Sequence, residues 1–136
     1  MLKAKEASAI EADGGTEGVV YLSAAKVAYN NKDYAKAAEY YLKAGEAGEA
    51  MGYYELGGMH SCGQEGERDF VKAFEYFQKA ALMGDARAHH ALGVIYEYGH
   101  GRPQDMAKAK EHYQKAATMG DFIAQTALER MRYREH

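Results

Sequence analysis

Apolar and polar positions along this chain recur with helical spacing. In DYAKAAEYYLKAGEAG (33–48), Tyr34, Ala37, Ala38, Tyr41 and Ala44 follow the i, i+3, i+4, i+7 rhythm of one helix face, and Lys36, Glu39 and Lys43 occupy the other. The pattern returns with Phe70, Ala73, Phe74, Phe77, Ala80 and Ala81 set against Lys72, Glu75 and Lys79, and again around Lys108, Glu111 and Lys115. Each Glu precedes its Lys by four residues, the favourable order for a surface pair contributing roughly 0.2–0.5 kcal/mol. Asp33, Asp69 and Asp105 stand where an N-cap carboxylate accepts free backbone N–H groups. Gly48, Gly84 and Gly120 stand where a helix closes with a positive φ.

Displacing the segment 84–120 by 36 residues superimposes Ala86 on Ala50, Leu92 on Leu56, Gly93 on Gly57, Gly99 on Gly63 and Met119 on Met83. A fixed period of this length marks stacked helical hairpins. The first helix of each unit is expected over 49–62 and 85–98. Leu56 and Leu92 are its buried residues, and Gly57 and Gly93, with Ala50 and Ala86, let the hairpin close tightly. An earlier hairpin runs from a helix over 17–30, stops at Asn30-Asn31-Lys32 and has a turn four residues shorter. The fold class is therefore all-α, and 1–136 reads as a single repeat domain. Its parts are an N-terminal capping helix within 1–15, a hairpin over 17–48, repeats over 49–84 and 85–120, and a C-terminal capping helix over 121–136. That last helix buries Leu128 and shows an Arg-rich outer surface, as solenoid ends require.

Composition narrows the function. Apolar residues make up 47 % and charged residues 27 %, enough to build a core, and Pro103 is the single proline. A formal charge of −3 speaks against nucleic-acid binding, which calls for a clustered basic face. The short basic run 130–134 reads as the solvated end of a helix, where cations suit the dipole. No apolar run approaches the length of a membrane span, and the first residues lack the uncharged core of a signal peptide, so a cytoplasmic location is expected. Removal of a signal segment would leave a periplasmic or secreted location open.

Candidate chemistry is sparse. Cys62 is the only cysteine. His89 and His90 are adjacent, so a helix points them about 100° apart and they do not chelate one ion together. His60 takes the position of Tyr96, and His112 that of Tyr76, which reads as packing. No HExxH, CxxC, GxSxG or phosphate loop is present, so neither metal nor cofactor is expected.

Ala88, Leu92, Gly93, Tyr96, Gly99, Gly101, Asp105, Lys108, Ala109, Tyr113, Lys115, Ala116, Ala117 and Gly120 together carry the string AxxxLGxxYxxGxGxxxDxxKAxxxYxKAAxxG. This closely resembles the Sel1-like repeat, the longer-looped relative of the tetratricopeptide repeat. The preceding unit departs at Gly52, His60 and Glu65, and the first hairpin looks more like a tetratricopeptide unit. The resemblance implies a right-handed α-α superhelix that binds other proteins and has no shared chemistry. It also implies that the first helices line the concave face. There Met51, Tyr54, Gly58 and Ser61 in one unit and Arg87, His90, Val94 and Glu97 in the next point into the groove, joined by Lys26, Tyr29, Tyr98, Thr126 and Arg130. Tyr, His and Arg combine contact area with a polar handle, so Tyr54, Arg87, His90 and Tyr98 are the leading anchors. For Tyr54 and Tyr98 the alternative is packing between hairpins.

The expected function is a non-enzymatic bacterial adaptor that holds a partner peptide or helix, acting as a monomer or weak homodimer. Two alternatives stay open. One is a cell-wall- or β-lactam-directed activity of the kind described for some members, for which Ser23 and Lys26 have the SxxK spacing. The other is a purely structural, self-associating spacer.

Overall fold

The computed structural model describes residues 16–64 and 66–134. Among these, seven helices and no strand are formed: α1 Thr16–Asn30, α2 Tyr34–Glu46, α3 Ala50–Cys62, α4 Phe70–Leu82, α5 Ala86–Tyr98, α6 Met106–Thr118 and α7 Phe122–Arg134. The leading helix expected within 1–15 lies outside the described residues. Each helix packs on the one before and the one after it, so the chain rises as a helical repeat solenoid of antiparallel hairpins.

The punctuation follows the sequence. Asp33, Asp69 and Asp105 accept from the N–H groups of Lys36, Lys72 and Lys108 at 3.2, 3.0 and 3.0 Å, capping the second helix of each hairpin. Asp85 and Asp121 do the same for α5 and α7. The long turns start at Gly63 and Gly99, both left-handed at φ 72° and 68°, where a side chain would be strained. The short α1–α2 turn instead puts Lys32 at φ 63°.

Hairpin closure depends on an aromatic ring of the second helix lying on a glycine of the first. A Cβ on Gly57 would stand 2.6 Å from the Phe77 ring, and one on Gly93 would stand 2.6 Å from the Tyr113 ring. Between hairpins the small residues Gly52, Ala88 and Ala124 let successive units stack, all of them buried. A Cβ on Gly52 would collide with the backbone oxygen of Tyr41. Leu56, Leu92, Phe77 and Tyr113 are buried as expected. Leu128 is only partly buried and packs on the core from its rim, while Met131 at 1 % exposure holds α7 in place.

A ladder of rings runs beside this core, with a lysine of the second helix against each pair. Tyr21 stacks on Tyr40 under Lys43, and Tyr53 stacks on Tyr76 under Lys79. In the third hairpin both tyrosines become histidines: His89 stacks on His112, their Nδ1 atoms 3.2 Å apart, within hydrogen-bond reach when one ring carries its proton there. His60 stacks on Tyr76 at an interplanar angle of 11°, and Tyr96 on His112 at 8°. The two repeats thus use one ring pair with its members exchanged, which accounts for both substitutions as packing.

One buried charge fixes the last helix. Glu97 of α5 is 1 % exposed. Its carboxylate accepts from the Tyr113 hydroxyl at 2.7 Å, from Arg130 at 2.5 and 2.9 Å, and from Arg134. The Arg130 bonds above all, with those of Tyr113 and Arg134, hold the Glu97 carboxyl below the usual carboxylate range against the opposing effect of burial. Arg130 and Arg134 therefore fold back over α5, where a solvated basic helix end was expected.

Two outcomes follow. Removing the carboxylate in Glu97→Ala strands two arginines and the Tyr113 hydroxyl, and is expected to cost about 2–4 kcal/mol in urea unfolding. Secondly, burial depresses the His112 pKa from 6.5 to about 4, aided by the neighbouring His89 and Lys115, and burial with Lys115 also lowers that of His89. A depressed histidine favours the neutral folded form, so stability is full above pH 6.5 and falls as the pH drops from there towards 4. The loss should approach about 2 kcal/mol, discounted because the pair borders solvent. Thermal melts of His89→Tyr/His112→Tyr, which restores the ring pair of the other hairpins, should lose this slope.

Candidate functional site

Consecutive first helices are joined by side chains, which shows that α1, α3, α5 and α7 form one row. The Tyr29 hydroxyl of α1 accepts from Gln64, just past α3. The Arg87 guanidinium of α5 lies 4.3 Å over the Tyr54 ring of α3, and Arg130 of α7 reaches Glu97 of α5. The expected site residues all belong to this row or its ends, but they are not equally available.

Tyr54 is half-buried, packed on Phe77 below and covered by Arg87 above, so it serves packing and surface together. Arg87 is oriented by Asp85 through two side-chain bonds of 3.2 and 2.9 Å, and its own side chain stays 44 % exposed. Lys26 and Met51 are exposed and half-buried respectively, and Tyr98 is 55 % exposed near His100. Tyr29 is half-buried, packs edge-on against Tyr34 and uses its hydroxyl on Gln64. Glu97 lies on the row but is withdrawn: its carboxylate is fully engaged beneath Arg130 and Arg134, so it anchors α7 and presents nothing to a partner. Arg130 is correspondingly held, with one edge of its guanidinium on Glu97.

His90 and Val94 do more than the spacing showed. They line a pocket of about 430 Å³ with Ser61, Cys62, Phe70, Phe77, Ala91, Ile95 and the turn residues Arg68 and His100. Its lining is mostly apolar, with polar side chains from Ser61, His90, His100 and Arg68. One turn before Ser61, Gly58 offers no side chain at all; a Cβ there would meet nothing within 4 Å. The row thus has a gap in its middle, bounded by Tyr54 and Arg87 on one side and the pocket on the other.

Sequence reasoning missed Glu55, Arg68, His100 and Arg134. Glu55 is half-buried, and burial holds its carboxyl pKa above the usual range against the opposing charges of Arg87 and Lys26. Helix periodicity puts Glu55 one residue off the row. Arg68 and His100 lie in long turns that fold back beside the row, and no periodicity governs turn residues. Among the described residues no cluster of three or more His, Cys, Asp or Glu side chains is arranged to hold a metal ion, and Cys62 is a free, exposed thiol. No described helix is long and apolar enough to cross a membrane.

The Sel1 repeat model matches residues 31–49, 50–85 and 86–121. No curated protein matches the chain. Among solved structures, a Sel1 repeat protein from Oxalobacter formigenes is similar at 29 % identity and TM-score 0.75, over 87 % of this chain and 91 % of that one. The c5321 protein, a protective antigen of uropathogenic Escherichia coli with an SLR fold, is 26 % identical at TM-score 0.80, with 90 % of this chain matching 27 % of that one. The Helicobacter pylori cysteine-rich protein B, at 21 % identity and TM-score 0.70 over 93 % and 98 % of the two chains, shares the fold. Sel1 repeat proteins are generally protein-interaction modules and typically non-catalytic. With two matched repeats spanning the α3–α4 and α5–α6 hairpins and a shorter match over α2, the chain belongs to the Sel1 repeat family.

Proposed function

We propose that this protein is a non-enzymatic adaptor that holds an extended segment or a helix of a partner protein against the row formed by α1, α3, α5 and α7. The observation that carries this reading is the gap in that row. A hollow of about 540 Å³ between α6 and α7 is lined mainly by polar side chains, among them Gln114, Gln125, Glu129 and Arg132. Between α3 and α5 a largely apolar pocket of about 430 Å³ stays open, lined on α3 by Ser61, one turn beyond Gly58. An unfilled apolar pocket ringed by a few polar groups is the usual form of a side-chain receptor. Tyr54, Arg87 and His90 around it are of the types that carry binding energy when buried by a partner.

A second reading, self-association, is favoured by Phe122 and Ile123, 80 % and 68 % exposed at the start of α7. Light scattering distinguishes it, since a dimer lost in Phe122→Ser/Ile123→Ser would support it.

Tyr54 and Arg87 pack on one another, so replacing them confuses binding with folding. Gly58 does not have this defect. Gly58→Ala should raise stability by about 0.5–1 kcal/mol, because an open helical position gains a better helix former. Gly58→Gln should melt no lower than wild type. It should nonetheless lose at least about tenfold in affinity for peptides selected on the wild-type protein from a random displayed library, a loss worth about 1.4 kcal/mol. Unchanged binding by a folded Gly58→Gln protein would remove the row as the working surface.

A further inference from the structure

The charges on the row are arranged unequally with depth. Five cations face it: Lys26, Arg68, Arg87, Arg130 and Arg134. The three carboxylates associated with them are drawn inward. Glu97 is 1 % exposed, the Asp85 side chain is 8 % exposed, and Glu55 is half-buried. The guanidinium groups above them keep 44 % of the Arg87, 41 % of the Arg130 and 51 % of the Arg134 side chain open to solvent. An arriving molecule therefore meets N–H donors. The carboxylates beneath orient those donors and occupy only part of each fork, since a guanidinium has five N–H groups.

This polarity runs against the whole chain, whose formal charge is −3. The second helices do not supply the balancing acids: their lysines outnumber Glu39, Glu46, Glu75 and Glu111, and Glu39 and Glu111 pair there with Lys43 and Lys115. An excess of outward cations along one face selects for acidic partners. The neighbouring pocket of about 430 Å³ is lined by the apolar side chains of Phe77, Ala91, Val94 and Ile95 and has room for one large side chain.

Taking the row as the binding surface proposed above, we infer that its occupant is an acidic segment of a partner protein: an apolar or aromatic residue in the pocket between Phe77 and Val94, flanked by Asp or Glu residues that reach Arg87 on one side and Arg68, Arg130 or Arg134 on the other. Fork-shaped guanidinium groups match planar carboxylates in two bonds each, which gives direction as well as attraction. The Arg87 ring contact with Tyr54 holds its fork in place before the partner arrives.

The test uses the full chain and a random twelve-residue displayed library as the probe. Selected peptides should be enriched in Asp and Glu around an apolar position. Gly58→Lys, Gly58→Gln and Gly58→Glu then place a positive, neutral or negative side chain at one open position. Affinity for the selected peptides should fall in that order, with Glu weaker than Gln by about fivefold or more at low salt, the effect of one added like charge at contact distance. The difference should shrink as ionic strength rises. If all three variants bind equally and more weakly than wild type, or the peptides show no acidic enrichment, the row binds but the acidic-partner inference is wrong. If none of the three differs from wild type, the row itself is not the surface and both conclusions fall. Preferential capture of single-stranded oligonucleotides over acidic peptides would also overturn the inference.

Discussion

The contact on which the architecture rests is a ring placed flat on a glycine. Phe77 covers Gly57 and Tyr113 covers Gly93, each at a distance that no other residue at the glycine position would permit. Such an approach draws the two helices of a hairpin together and buries both rings, 5 % and 0 % exposed, which is where much of the apolar stabilisation of each unit resides. Because the glycines are 36 residues apart, the contact also sets the rotation of each first helix about its axis. That rotation decides which residues of α3 and α5 leave the hairpin and face the row. At the corresponding place in α7 stands Glu129, so a ring cannot settle there in the same way. The last helix is held instead by Met131 and by the carboxylate of Glu97.

Much of this was legible in the sequence. The 36-residue register, the Asp caps and the terminal glycines placed six of the seven described helices nearly residue for residue, because each rests on local backbone chemistry. The position of Leu56 and Leu92, with the helical offset from them, was enough to bring Arg87, His90 and Val94 to one face. What the periodicity could not reveal depends on contacts between helices distant in sequence. Glu97 was counted among the open residues because its spacing is right. Its burial comes from Arg130 and Arg134, more than thirty residues away. Arg130 and Arg134 looked like a solvated helix end for the same reason. The pocket went unseen because the turn residues Arg68 and His100 complete it.

The ring ladder shows how repeats diverge without losing their fold. Tyrosine pairs in two hairpins become a histidine pair in the third, and the Tyr76–His60 stack reappears as Tyr96 on His112 with its partners exchanged. Flat rings of similar area conserve the packing while their ionisation differs. The row of first helices diverges in a different respect. Gly58, Val94 and Arg130 occupy equivalent places, so the same face is empty, apolar and cationic in turn along its length. A surface that changes character over three units distinguishes its two ends, so a segment laid on it in the proposed manner would bind in one direction.

The most direct measurement is a backbone amide chemical-shift map of the protein titrated with a peptide selected on it. The account predicts that perturbations gather on 54–62 of α3, 87–98 of α5, 130–134 of α7 and the turn around Arg68, and leave the outer faces of α2, α4 and α6 unchanged. Shifts concentrated on those outer helices, or confined to the α7 end around Phe122, would contradict it.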